Sequence, residues 1–387
     1  MKAIHQLATF KNLLAQYDFA QPLNRFLAIY YRQNKQMGST DRRIATRLMY
    51  NYFRLGNILI NETIENRLVI AELLCNNQPN SFVCHFKTDW EKVFSYSLGD
   101  KINFLKKHFE GFNIEDVFIL HQQLSADIDK TAFCNSFFTQ PDLFIRAKKG
   151  HEKAVIKLLL ANNVIHKVID TQTIALPNGI KIDDILTDKS MYEVQDVSSQ
   201  AVGKFFKPQK WDKWWDCCAA SGGKSLLLHD EEPDIKLVVS DIRESVLLNL
   251  DERFKTAGLR NYQKKILDLT LNPAPYIHNY VFDGIIFDAP CSGSGTWSRT
   301  PEMLHQFEEH KINFYRDLQR RIATQIIPYL TTGKPLIYIT CSVFKEENEA
   351  QVAWLQTQFG LILESSQIIK GYNLKADTMF VARLIKN

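Results

Sequence analysis

From about residue 195 to the end, short apolar runs alternate with stretches patterned for helices, and this constrains the fold more than any other feature. Runs such as KLVVSD, GIIFD and PLIYIT are too short for core helices and have continuous apolar centres, as strands buried on both faces do. Strands separated by helix-length segments predict a parallel, doubly wound sheet over residues 191–387, whose C-terminal strand ends face one crevice.

The upstream chain is patterned differently. Residues 1–130 predict helices, with Phe26, Ile29, Tyr30 and Leu48, Tyr52, Leu55 at three- and four-residue spacing and a helix start at Gly38-Ser39-Thr40-Asp41. Arg32, Lys35, Arg42, Arg43, Arg47 and Arg54 cluster around that start. A solvated face accounts for any one of them; the group together fits phosphate contacts, with Arg42, Arg43 and Arg47 as the candidates. Residues 139–190 predict a small α/β segment: a strand at PDLFIRAK and a helix over 152–162 burying Val155, Ile156, Leu159 and Leu160. One or two strands in VIHKVIDTQTIALP then end at the turn Pro177-Asn178-Gly179.

Composition adds exclusions. With 45% hydrophobic and 23% charged residues the 387-residue chain can build two or three cores, and a net charge of +4 permits nucleic acid without demanding it. Seven cysteines without Cys-x-x-Cys spacing argue against a zinc site or disulfide framework and for reduced thiols. No apolar run reaches membrane-spanning length and the first residues lack a leader's pattern, so a cytoplasmic protein without metal or membrane partner is expected.

Two ligand classes use a strand that runs into a glycine turn and a helix, as WWDCCAASGGKS (214–225) does. A phosphate-binding P-loop needs glycine where Cys218 stands, which excludes it. A nucleoside cofactor such as S-adenosylmethionine needs an acid at the end of the next strand for its ribose, and Asp241 ends KLVVSD. Asp268 ends the third strand and is placed to accept from an adenine amino group. The fourth strand and its loop, VFDGIIFDAPCSGSGT, carry Asp288 and Cys291; the fifth, PLIYITCS, carries Cys341. A free cysteine is usually a small buried hydrophobe. Two of them at strand exits facing a glycine-rich turn are candidate chemistry, and strand order alone leaves both thiols open as nucleophile.

Five ordered motifs, VQDVSSQA (194–201), CCAASGGKS (217–225), SDIRESVLLNL (240–250), FDAPCSGSGT (287–296) and TCSVFKEENE (340–349), resemble the Sun/Nop (RsmB/Fmu-type) family of RNA cytosine-5 methyltransferases. The resemblance covers about 140–387. It implies a Rossmann-like S-adenosylmethionine-dependent domain with cofactor contacts at Cys218, Ala219, Ala220, Ser221, Gly222, Gly223, Lys224, Asp241, Asp268 and Asp288. It also implies that Cys341, in Thr-Cys-Ser, is the nucleophile and that Cys291, in Pro-Cys, helps release product. Such a thiol must ionise, and Lys224 is a nearby candidate to favour the thiolate; Asp288 is a candidate to stabilise the N3 edge of the base. Residues 35–57 resemble the NusB-like all-α domain of the same type, with the 139–190 segment read as a small RRM-like RNA-binding unit. This implies 16S ribosomal RNA as substrate. The alternatives are a transfer RNA methyltransferase and a non-catalytic RNA-binding assembly factor. Two departures stand out: Ser221 replaces the usual proline of the turn, and Thr378-Met379-Phe380 the usual glycine-phenylalanine of the last strand.

Overall fold

The computed structural model describes residues 2–387 and divides into two compact units. One comprises residues up to Gln122 with Asp129–Gln140 and Trp297–Glu308; the other comprises Gln123–Ile128, Pro141–Thr296 and Glu309–Asn387.

The first unit is helical, with its longest helices at Ala3–Gln16, Leu23–Gln33, Ser39–Arg54, Ile64–Cys75 and Leu98–His108. Their apolar faces supply a core in which Phe10, Leu13, Leu48, Met49, Phe53, Leu68 and Leu105 are buried. The helix expected after Gly38 forms, but no side chain caps it; Gly38 itself is the extended N-cap residue. Two buried arginines of this unit are matched by bonds. Arg54 donates to the Phe137 carbonyl at 2.8 Å and Gln140 at 2.9 Å, and Arg67 to Tyr52 at 2.9 Å.

The second unit contains both sheets. Strands β1 (Leu143–Ala147), β2 (Lys167–Val168), β3 (Thr173–Leu176) and β4 (Tyr192–Val194) form an antiparallel sheet of order β2-β3-β1-β4. Helix Glu152–Ala161 covers it with Val155 and Leu159. Leu160, expected to be buried with them, is 62% exposed: Val155 and Leu159 lie on the face turned to the sheet, and the next position falls outside it.

Strands β5 (Lys213–Asp216), β6 (Lys236–Asp241), β7 (Tyr262–Ile266), β8 (Gly284–Asp288), β9 (Pro335–Thr340), β10 (Ile362–Ile369) and β11 (Met379–Ile385) build a seven-stranded sheet of order β10-β11-β9-β8-β5-β6-β7. The five strands from β5 to β9 are parallel as expected. The sheet is nevertheless mixed, because β11 runs antiparallel to β9 and β10 antiparallel to β11. The chain reverses between Ile369 and Met379, too short a span for the crossover a parallel pair requires. The chain order also reverses across the adjacent strands β5 and β8, so β6 and β7 lie to one side and the thiol-bearing strands to the other. Val239, Ile286, Ile337, Ile339 and Val381 are fully buried, which holds these ends rigid.

Candidate active site

The site begins where β5 stops. Beyond Asp216 the chain turns through Ala220 (φ 45°) and Gly222 (φ 80°) into helix Gly223–Glu231. Left-handed backbone at Gly222 favours glycine, and a Cβ there would overlap the Phe254 ring. Ser221, in the place of a proline, is held from outside: Arg253 donates to its hydroxyl at 2.9 Å and its carbonyl at 3.1 Å. The motif at 194–201 supports the same turn, since Gln195 donates to the Gly223 carbonyl at 3.2 Å and Ser199 meets Lys224 Nζ at 2.8 Å.

Asp216 is fully buried; its Oδ2 accepts from the Ser225 hydroxyl at 2.7 Å and its Oδ1 has no partner. Burial, opposed by the Ser225 bond, pushes its carboxyl up from 3.8 to about 7, with Asp288 and Asp241 adding to the rise and Lys224 opposing it. The folded state therefore binds a proton that the unfolded state has released between those two values. Its contribution to stability is complete below pH 3.8, declines as pH rises, and is gone above about 7. Asp216→Asn, compared with the parent in thermal melts from pH 4 to 8, is expected to remove this decline, worth at most about 4 kcal/mol. Parallel pH profiles for the two proteins would contradict it.

Asp241 accepts from Ala220 N–H at 3.0 Å through Oδ2 and from Arg243 N–H at 2.9 Å and Nε at 3.1 Å through Oδ1. Four donors, counting Arg243 Nη2 at 3.4 Å, fill the carboxylate's acceptor positions, so a ribose hydroxyl needs the mostly exposed Arg243 side chain to yield. Asp268 accepts from the Thr270 backbone N–H at 2.9 Å and hydroxyl at 2.7 Å, bonds that hold its carboxyl below the usual range.

Asp288, at the end of β8, pairs with Lys224 Nζ at 3.1 Å. The Lys224 ammonium is thus placed on Asp288 and Ser199, while each thiol meets the other. Cys291 and Cys341 stand Sγ to Sγ at 3.4 Å. Their strands explain the meeting: Asp288 is in register with Ile339, so the β8 and β9 exits leave the sheet side by side. The bond to Cys341, then burial, then the charges of Cys341 and Glu347 push the Cys291 thiol well above its ordinary value.

Several residues beside the thiols had no role assigned from sequence. Gly295 N–H donates to the Cys341 carbonyl at 2.8 Å, and Thr378 N–H to the Gly295 carbonyl at 2.9 Å. Glu347, without exposed surface, accepts from the Ser292 N–H at 2.9 Å and the Ser342 hydroxyl at 2.7 Å. Asn348 donates to the Ser342 carbonyl at 3.0 Å and accepts from Thr340 at 2.6 Å. Tyr315, half-buried, has its phenol raised by burial and then by Cys291, Glu347 and Cys341. The signal for Glu347 and Asn348 lay in the 340–349 motif; Tyr315 lies in no motif.

The arginine candidates belong to the helical unit. Arg42 donates to the Met37 carbonyl at 2.9 Å, and Arg47 pairs with the buried Glu72 at 2.9 Å, so both brace the fold; Arg43 is exposed. Among the described residues, no helix is long and apolar enough to cross a membrane.

Residues 204–384 match the family described as 16S rRNA methyltransferase RsmB/F. The ribosomal RNA small subunit methyltransferase B of Enterobacter sp. (strain 638) is 25% identical over 333 residues, 83% of this chain and 75% of that protein. Its namesake in Escherichia coli (strain K12) is 35% identical over 164 residues, and there the match spans 42% of this chain and 38% of the relative. Among solved structures, the protein PH0851 has a TM-score of 0.72 at 20% identity, covering 95% of this chain and 96% of its own. NSun6 from Pyrococcus horikoshii, solved with SFG, has a TM-score of 0.60 at 15% identity, covering 69% and 96%. At these identities the structural likeness is one of fold. The matched span, residues 204–384, holds the glycine turn and both thiols.

Proposed function

We propose that this protein is an S-adenosylmethionine-dependent RNA (cytosine-C5)-methyltransferase acting on 16S ribosomal RNA, with Cys341 as covalent nucleophile. The observation that carries this reading is the 3.4 Å contact between Cys341 and Cys291 beside the Lys224–Asp288 pair. The relatives' names supply the substrate class.

The turn suits a nucleoside cofactor. It combines the left-handed Gly222, the N-terminus of helix Gly223–Glu231, the buried Asp216 oxygen without a partner, and Asp241. Cys218–Lys224, Asp241, Asp268 and Asp288 are the residues that would hold it. S-adenosylmethionine bound there supplies an electrophilic methyl group.

The protein's own task is to make carbon 5 of cytosine nucleophilic. The Cys341 thiolate adds to carbon 6, forming a C–S bond and moving the ring's π electrons towards carbon 5 and N3. Asp288, sharing a proton with N3, would stabilise the charge that collects at the N3 and amino edge, with the Lys224 cation beside it. After carbon 5 is alkylated it loses its proton to a base, and the C–S electrons return to Cys341 as the ring's double bond re-forms. Cys291, 3.4 Å from Cys341, passes a proton to that sulfur as it leaves. The base must leave its stack to reach these groups.

In this reading the helical unit is a NusB-like RNA-binding domain and the β1–β4 sheet an RRM-like one. Arg43 is the clearest phosphate candidate because Arg42 and Arg47 have structural partners. Arg43→Glu is expected to weaken RNA binding and to lower the slope of log affinity against log salt by about one. An unchanged slope in filter binding would return Arg43 to the solvated surface.

The reading is tested by tritiated-methyl transfer from S-adenosylmethionine to unmodified 16S RNA and, separately, to transfer RNA. Label at a cytosine C5 of the ribosomal RNA is expected. Label only on transfer RNA would replace the substrate, and none on either, from folded protein that binds the cofactor, would remove the activity.

A further inference from the structure

We infer that Glu347 is a positioning residue that holds Cys291 and Cys341 in contact, one buried carboxylate fastening the chain immediately after each cysteine. This rests on reading the two thiols as the reaction centre. Glu347 Oε2 accepts from the backbone N–H of Ser292, the residue after Cys291, and Oε1 from the hydroxyl of Ser342, the residue after Cys341. Gln319 donates to Oε2 at 3.1 Å, and Tyr338 donates to the Glu347 carbonyl at 2.6 Å, which fixes the carboxylate from behind. The hydroxyls of Ser292, Ser294 and Ser342 lie 3.0–3.3 Å apart beneath the two loops and carry the link between them.

A carboxylate suits this place for a geometric reason. Its two oxygens accept from three donors that arrive from three parts of the chain, and an apolar side chain would leave all three unpaired. Burial raises the Glu347 carboxyl, and the bonds from Ser292, Ser342 and Gln319 oppose the rise. Its charge is also among the causes that push the Cys291 thiol up, after the bond to Cys341, burial and the Cys341 charge. Glu347 touches neither thiol among the bonds of the site; it acts through the residues that follow them.

Cross-linking reads this contact without RNA, cofactor or turnover. Diamide oxidises two neighbouring thiols to a disulfide: the sulfurs bond to each other, and both protons and two electrons pass to the N=N bond, giving the hydrazine. The Cys291–Cys341 linkage is followed by peptide mass spectrometry in the full-length protein. Glu347→Ala is expected to slow it by about 10-fold or more, since displacement near 1 Å at a reacting pair costs up to about 10²-fold. Glu347→Gln keeps one acceptor and can donate to Ser342 Oγ, so it should retain a rate within about threefold. Should Glu347→Ala fail to fold, Ser342→Ala removes the Oε1 arm together with the Ser342 links to Ser292 and Ser294, leaves the Ser292 N–H arm, and should slow linkage by about threefold. Parental linkage rates in folded Glu347→Ala, or in Ser342→Ala when that variant must serve, would overturn the inference. Loss of the functional reading looks different: the parent protein would cross-link rapidly and still transfer no methyl group to RNA.

Discussion

Cys341→Ser is expected to abolish methyl transfer and to leave no covalent RNA adduct. The serine hydroxyl is almost wholly protonated at neutral pH and lacks the nucleophilicity of sulfur, so the addition to carbon 6 fails outright. Removal of a covalent nucleophile costs about 10³-fold or more. Cys291→Ala is expected to act at the other end of the reaction. Addition and alkylation continue, product release slows by about 10²-fold, and adduct collects on a denaturing gel. At 3.4 Å the two sulfurs are close enough to pass a proton, so the cysteine that is not the nucleophile can protonate the leaving sulfur. Adduct that survives Cys341→Ser and vanishes with Cys291→Ala would reverse the two roles.

Gly295→Ala is the second change with a large expected effect. Gly295 sits between Cys341, whose carbonyl accepts its N–H, and Thr378, whose N–H it receives. An added Cβ would overlap the Thr378 carbonyl oxygen and stand 2.9 Å from the Cys341 carbonyl oxygen. Both obstacles are backbone, so no side-chain rotation relieves them, and the exits of β9 and β11 must part. Such overpacking should cost about 3 kcal/mol, or about 10 °C in the melting temperature of the second unit. Methyl transfer should fall by about 10²-fold even well below the melt, because Cys341 moves with its carbonyl. Gly333→Ala is the control. Gly333 has φ 79° and no atom within 4 Å of a Cβ, so it loses only about 1 kcal/mol to left-handed backbone. Equal losses in the two variants would show that Gly295 is needed for its flexibility rather than for its size.

The glycine turn and the acids at the strand ends were legible because their signals are local. A strand ending in Asp216, a glycine turn and a second strand ending in Asp241 are consecutive, and each apolar run maps onto one strand of the sheet. The antiparallel ending was legible in principle: no helix-length segment fits between Ile369 and Met379, which forbids a parallel crossover. Thr378, where a glycine is usual, still permits the hairpin because its backbone N–H, not its side chain, bonds to Gly295.

What sequence could not reveal is who neighbours whom across long separations. Glu347 sits in KEEN, which looks like a solvated acidic run, yet it is buried by donors from Ser292 and Gln319. Arg47 resembles a phosphate ligand until Glu72, on the next helix, is seen to take its charge. Strand order brought Cys291 and Cys341 to one crevice without ranking them. The motif around Cys341 implies a ranking that the 3.4 Å contact between the two sulfurs leaves open.

The most direct test uses RNA in which the target cytosine is replaced by 5-fluorocytosine. After alkylation, carbon 5 then has no proton to lose, and the C–S bond cannot be released. Tryptic mass spectrometry of the trapped complex should find the nucleotide on the peptide that contains Cys341. A nucleotide on the Cys291 peptide, or no linkage from protein that methylates unsubstituted RNA, would contradict the account.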